Sequence, residues 1–88
     1  MTTHRLKIQE RYADAVLNGT KTFEVRKNDR NFKVGDKIVF DVVSNEGISI
    51  GAAARHPLNG ATYRIDYTLD DFEGLAQKYV ALAISKED

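Results

Sequence analysis

Cysteine is absent from this chain, which excludes disulfide cross-links, thiolate metal sites and a cysteine nucleophile. The absence suits a reducing compartment, and a cytoplasmic location is the expectation. No apolar run approaches the roughly 20 residues of a membrane-spanning helix. Met1-Thr2-Thr3-His4-Arg5 is not followed by the apolar core of a signal peptide. Proline occurs once, at Pro57, and no repeat, low-complexity tract or linker interrupts the sequence. Net charge is lacking too, because 13 basic and 13 acidic residues cancel. The balance is uneven along the chain. Residues 1–65 carry 11 Lys/Arg against 7 Asp/Glu, a surplus of +4, and residues 66–88 carry 2 against 6, or −4. Such asymmetry allows a locally basic surface on a neutral protein. It argues against tight, purely electrostatic binding to long nucleic acid, which requires many phosphate neutralisations.

Other absences remove whole classes of chemistry. His4 and His56 stand alone, with no second His or Cys at ligand spacing, so neither a metal nor a cofactor is expected. No serine sits in a Gly-x-Ser-x-Gly elbow and no Gly-rich phosphate loop is present. Serine hydrolase, P-loop and dinucleotide readings therefore fail on their residues.

What is present reads as a single domain, residues 1–88. His4 to Ile8 alternates as a strand, with His4, Leu6 and Ile8 on one face and Arg5 and Lys7 on the other. Glu10 to Asn18 has the apolar stripe of a short helix in Tyr12, Val16 and Leu17, with Ala13 and Ala15 between them. Asn18-Gly19 stops it, since glycine takes the left-handed C′ conformation without a Cβ penalty. Thr22 to Lys27 alternates again, and the apolar Phe23 and Val25 are expected inside, opposite Thr22, Glu24 and Arg26. A turn at Phe32 to Asp36 leads into a strand at Lys37 to Val43, apolar on nearly both faces and so expected to be central.

Beyond Asn45-Glu46-Gly47, Ile48 to Pro57 is open between a helical turn and an irregular crossing. Leu58-Asn59-Gly60 is a turn, and Ala61 to Leu69 is a strand placing Tyr63, Ile65 and Tyr67 on one face. Thr68-Leu69-Asp70-Asp71 has capping-box spacing for a short helical turn ending near Gly74, and Tyr79 to Ser85 is the last strand. Five strands and one main helix after the first strand predict an α+β domain, a small mixed barrel or strongly curved sheet.

The densest chemistry lies in Lys21 to Arg30. Glu24 and Arg26 share a strand face at roughly 7 Å between Cβ atoms, so Arg26 can hold the carboxylate by a charge-assisted bond. A carboxylate so held can accept from a base amino group or act as a general base toward water. Lys21, at the entry to the strand, can bind phosphate as a point charge or act in catalysis. Lys27 and Arg30 can meet phosphates while Asn28 reads a base edge. Each feature also has a plain reading: alternating Glu and Arg suit a solvated strand face, and Lys27-Asn28-Asp29-Arg30 suits a polar turn. Tyr12, Tyr63, Tyr67 and Tyr79 can stack on a base, although their apolar stripes suit a core lining better. Asp70, Asp71 and Glu73 suit helix capping better than a second catalytic carboxylate.

Gly19-x-Lys21-x-x-Glu24-x-Arg26 resembles the Gly-x-Lys-x-x-Glu-x-Arg signature of the ASCH domains, a branch of the PUA-like superfamily. His4-x-Leu6-Lys7-Ile8, Lys21 through Arg30, and Phe32-x-Val34-Gly35-Asp36 resemble a group of small stand-alone ASCH-like proteins of prokaryotes and their viruses. The resemblance is close over residues 4–43, loose over 61–85 and poor over 44–60. It implies a PUA-like β-barrel with a cleft between barrel and helix, lined by the signature residues, and RNA or a modified nucleoside as partner. Some members resembling it are amidohydrolases of acylated cytidine and others ribonucleases. Lys21 falls on the catalytic lysine of the amidohydrolase branch, but that branch carries a hydroxyl residue where this chain has Glu24.

Three functions follow as expectations. In the first, an RNA- or nucleotide-binding module uses Lys21, Arg26 and Arg30 on phosphates and Glu24 or Asn28 on a base. In the second, a small hydrolase uses Glu24 as general base and Lys21 to stabilise a developing oxyanion. The third is a protein-interaction module.

Overall fold

The computed structural model describes residues 1–48, 51, 53–70, 73–75 and 78–87. Its elements run β1 (Thr3–Gln9), α1 (Glu10–Leu17), β2 (Phe23–Lys27), β3 (Lys37–Val43), a 3-10 turn at Ala53–Arg55, β4 (Thr62–Leu69) and β5 (Tyr79–Lys86). The strands form one sheet in the order β1-β3-β4-β5-β2. β1 and β3 are parallel and the remaining pairs antiparallel. The sheet curls into a half-barrel with one α-helix among the described residues, an α+β architecture that is mostly sheet.

Alternation in β1 buries His4, Leu6 and Ile8 while Arg5 and Lys7 stay outside, as the period of two requires. β3 lies between β1 and β4 and sinks Ile38, Phe40 and Val42 completely. Ile65, Val80, Leu82 and Ile84 complete the concave face, and α1 covers it with Ala13 and Val16. Leu58 enters the same core from the loop, and Asn59 ties that loop down: its Oδ1 accepts from Val42 N–H at 2.8 Å and its Nδ2 donates to Ala53 O at 2.9 Å. Tyr63 stands edge-on to Phe40 with ring centroids 5.7 Å apart, and burial raises its phenol pKa.

His4 has the packing role its strand face suggested. Its Nε2 meets Asp36 Oδ2 at 2.9 Å and its ring lies 4.6 Å from that of Phe32. Burial pushes the Asp36 carboxyl up in pKa, but His4 and the N–H groups of Thr2 and Lys33 outweigh it and hold the group below its ordinary value. His56 clasps α1. Its Nε2 lies 2.6 Å from Asp14 Oδ1, and its Nδ1 accepts from Leu58 N–H at 3.1 Å.

Three expectations about which side chains face inward are corrected. In β2 the two sets of side chains separate as expected, but the set that points inward is the polar one. Glu24 is buried, whereas Phe23 and Val25 are 50% and 47% exposed. β2 is a terminal strand, and ion pairs satisfy the buried carboxylate, which relieves the cost of burying it. In α1, Ala13 and Val16 carry the packing while Tyr12 and Leu17 are largely exposed. In β4, Ile65 pairs with Ile84 but Tyr67 pairs with Ala83, leaving Asp66 as an extra residue. That bulge inverts the alternation, so Tyr67 leaves the face of Tyr63 and is 62% exposed. Tyr79 is exposed as well, so of the four tyrosines only Tyr63 lines the core. The expected capping box and helical turn include Asp71, which lies outside the described residues. Part of the ambiguous 48–57 stretch lies outside them too, and its described part holds the turn at Ala53–Arg55.

Candidate functional site

The sheet has two terminal strands, β1 and β2, and among the described residues no backbone ladder joins them. Side chains span this seam. Arg26 donates through Nη2 to Lys7 O, and Arg30 donates through Nη1 to Arg5 O at 2.6 Å. Two guanidiniums from the β2 side thus satisfy alternate carbonyls on the free edge of β1, which would otherwise invite another strand.

A cleft of about 410 Å³ opens along the seam, lined by Lys7, Ile8 and Gln9 of β1, Tyr12 of α1, and Lys21 and Phe23 to Arg26 on the β2 side. Glu24 is its electrostatic centre. Lys21 Nζ donates to Glu24 Oε1 and to Phe23 O, the latter at 2.7 Å. Arg26 Nε donates to Glu24 Oε2 at 3.0 Å. Both carboxylate oxygens are therefore engaged, and the carboxylate side chain is only 6% exposed. The Lys21 ammonium also lies 5.0 Å from the Phe23 ring centre and 5.8 Å from that of Tyr12, within cation–π range.

The chain reaches this arrangement locally. Gly19, at φ +87°, turns the backbone out of α1, and Lys21 N–H bonds back to Ala15 O at 3.0 Å. Lys21 is thereby anchored against the helix end, three residues before Glu24. Two positions further, Arg26 returns to the same strand face as Glu24.

Of the residues singled out from the sequence, Lys21, Glu24 and Arg26 converge in this cleft. Lys27 and Arg30 line a smaller cavity of about 140 Å³ on the same seam, which shares Arg26 with the cleft. Asn28 lines neither cavity; its backbone N–H continues the β2–β5 pairing onto Lys78 O. Lys7, Gln9 and Tyr12 complete the cleft. Only Tyr12 had a sequence signal, as an aromatic capable of stacking. Gln9 Oε1 is shielded from solvent and accepts no hydrogen bond from the described residues, an unmet acceptor in a residue that lines the cleft. Among the described residues no group of three or more His, Cys, Asp or Glu could hold a metal ion, and no helix is long and apolar enough to cross a membrane.

Chemically, the cleft offers cations for an anionic group, exposed aromatic rings for a planar one, and the side-chain amide of Gln9 for hydrogen bonds. With Lys7, Lys21 and Arg26 against Glu24, positive charge is in excess.

The residues that build this site fall within a region shared with other proteins. The chain is 44% identical over 36 residues to the uncharacterized 12.9 kDa protein in the GpA 3'region of Escherichia phage P2. That match spans 41% of this chain and 33% of the phage protein, so the chain covers about a third of that relative's length. The family model described as a domain of unknown function, DUF3850, matches residues 3–84, which takes in all five strands except the end of β5. The chain belongs to the DUF3850 family.

Proposed function

We propose that this chain is an RNA- or nucleotide-binding module of the ASCH type, PUA-like in its curled sheet, whose seam cleft takes a nucleotide or a short single strand of RNA. The observation that carries the reading is the convergence of Lys7, Lys21 and Arg26 with Tyr12 and Phe23 around one cleft of about 410 Å³. That size lies in the range of small-ligand pockets. Phosphate goes to the cations, and a base lies against the aromatic rings. With both Glu24 oxygens occupied and Gln9 Oε1 shielded from solvent, base reading falls to the Gln9 amide N–H group, and Glu24 serves to fix the two cations. Binding of labelled single-stranded RNA and of nucleoside monophosphates at low salt tests this. Micromolar affinity is expected, with a salt slope of about two or three phosphates and roughly tenfold weaker binding in Lys21→Ala. No binding at low salt overturns it.

A second reading, a small hydrolase, has one specific observation in its favour. Lys21 and Glu24 are in direct contact with side chains only 17% and 6% exposed, an amine and an acid held together in a cleft. Glu24 would act as general base toward water and Lys21 would stabilise the oxyanion. This ranks second because water must first displace Lys21 or Arg26 from Glu24. Acylated cytidines and RNA are the substrates to try. Product that forms with the wild-type chain and vanishes in both Lys21→Ala and Glu24→Ala would put the enzyme first.

A further inference from the structure

The convex face of β2, β5 and β4 carries an apolar patch that borders the cleft at Phe23 and Val25, which line both. Phe23 and Val25 of β2 pair with Ala83 and Ala81 of β5, which pair in turn with Tyr67 and Leu69 of β4. The two alanines form a shallow floor between these larger side chains. The bulge at Asp66 is what brings Tyr67 onto this face. Phe23, Val25, Tyr67, Leu69 and the neighbouring Tyr79 are between 38% and 62% exposed, and with the alanines they present on the order of 500 Å² of apolar surface. A contiguous patch of that size matches the largest patch on a typical monomer, which is often functional.

We infer that this face binds a second copy of the chain. Two copies would bury on the order of 1,000 Å² in total, the size at which a specific protein interface begins. The patch is also complementary to itself. A two-fold axis running along β5 lays β2 of one copy over β4 of the other. Phe23 then meets Tyr67 of the second copy, both level with Ala83, and Val25 meets Leu69, both level with Ala81. Lys27, level with Tyr79, comes over the end of the second copy's β4, where Asp70 follows. This is the isologous pattern of a closed dimer, in the aligned geometry of packed sheets. Single-stranded nucleic acid fits the face less well. Stacking platforms for it need a cationic track beside the rings, but Lys21 stands only at the edge of the patch beside Phe23 and is paired with Glu24, and Arg64 is tied to Asp66 at 3.0 Å.

The chain lacks cysteine, so a single introduced thiol reports contacts cleanly. In Ala83→Cys the thiol lies on the proposed axis, and a short bismaleimide is expected to link it into a dimer. In Glu46→Cys, in the exposed turn after β3, the thiol is expected to stay unlinked. Sedimentation of the wild-type chain is expected to show a reversible monomer–dimer equilibrium between micromolar and millimolar concentration, shifted at least tenfold toward monomer in Tyr67→Glu. Circular dichroism checks that this variant remains folded. The inference is overturned by a wild-type monomer throughout that range, by a dimer indifferent to Tyr67→Glu, or by single-stranded RNA shielding Ala83→Cys from the maleimide while the chain stays monomeric.

Discussion

Glu24 shows how one residue sets the character of a site. A carboxylate removed from water needs compensating donors, and this one takes one from each side, Lys21 Nζ on Oε1 and Arg26 Nε on Oε2. Replacing it with glutamine leaves two cations facing each other across a neutral amide. Because both remain partly open to solvent, the expected loss is about 2 kcal/mol, smaller than for a sealed ion pair. In a domain this small that lowers the melting temperature by roughly 10 °C, which calorimetry reads directly. An unchanged melting temperature would mean the pairs contribute nothing net.

Asp36 makes a prediction of a different kind at the same scale. Its pKa is depressed in the folded chain by His4 and two backbone N–H groups, against the opposing effect of burial. Its stabilising contribution is therefore complete above the unfolded carboxyl value of about 4, and is lost as pH falls through the lower folded value. Urea unfolding between neutral and strongly acidic pH should show stability declining below about pH 4. The Asp36→Asn variant should start lower at neutral pH and decline less. Curves that fall in parallel would contradict this role for Asp36.

Among the elements, β2 is the one whose context matters most. As a terminal strand it pairs only with β5, and the seam to β1 is held by Arg26 on Lys7 O and Arg30 on Arg5 O. Removing both side chains in an Arg26→Ala, Arg30→Ala double variant should loosen the two sheet edges while β3, β4 and β5 stay protected. Hydrogen exchange of β1 and β2 amides should then rise roughly tenfold. Acceleration spread evenly over the sheet would show that the arginines support the whole fold rather than the seam.

The elements themselves were legible because their signals are local. The 37–43 strand has the expected limits, and the other elements begin or end within a residue or two of them. The direction each face takes was less legible. Alternation says that Glu24 and Arg26 share a face, but whether that face is buried depends on Lys21 arriving from the end of α1. Simple alternation puts Tyr67 on the wrong face because the register shift after Ile65 depends on the pairing with β5, and no residue type announces it. The Lys21, Glu24 and Arg26 part of the cleft was readable as one short stretch. Lys7 and Gln9 were not, because they join it only once the curled sheet brings β1 near β2.

At the scale of the molecule, the curl gives the chain two distinct surfaces. The seam gathers the cations and the convex sheet face gathers the exposed apolar side chains, with Phe23 at the boundary of both. This also locates the basic surplus of the first 65 residues: Arg5, Lys7, Lys21, Arg26, Lys27 and Arg30 all belong to the seam or its margins. The central claim is that the seam binds the phosphate and base of a nucleotide unit. Its most direct test is an amide NMR titration with a short single-stranded oligoribonucleotide at low salt. The account predicts shifts concentrated at residues 7–12 and 21–26 in the wild-type chain, and nearly abolished in Lys21→Ala. Shifts that avoid those segments, or that persist unchanged in Lys21→Ala, would contradict it.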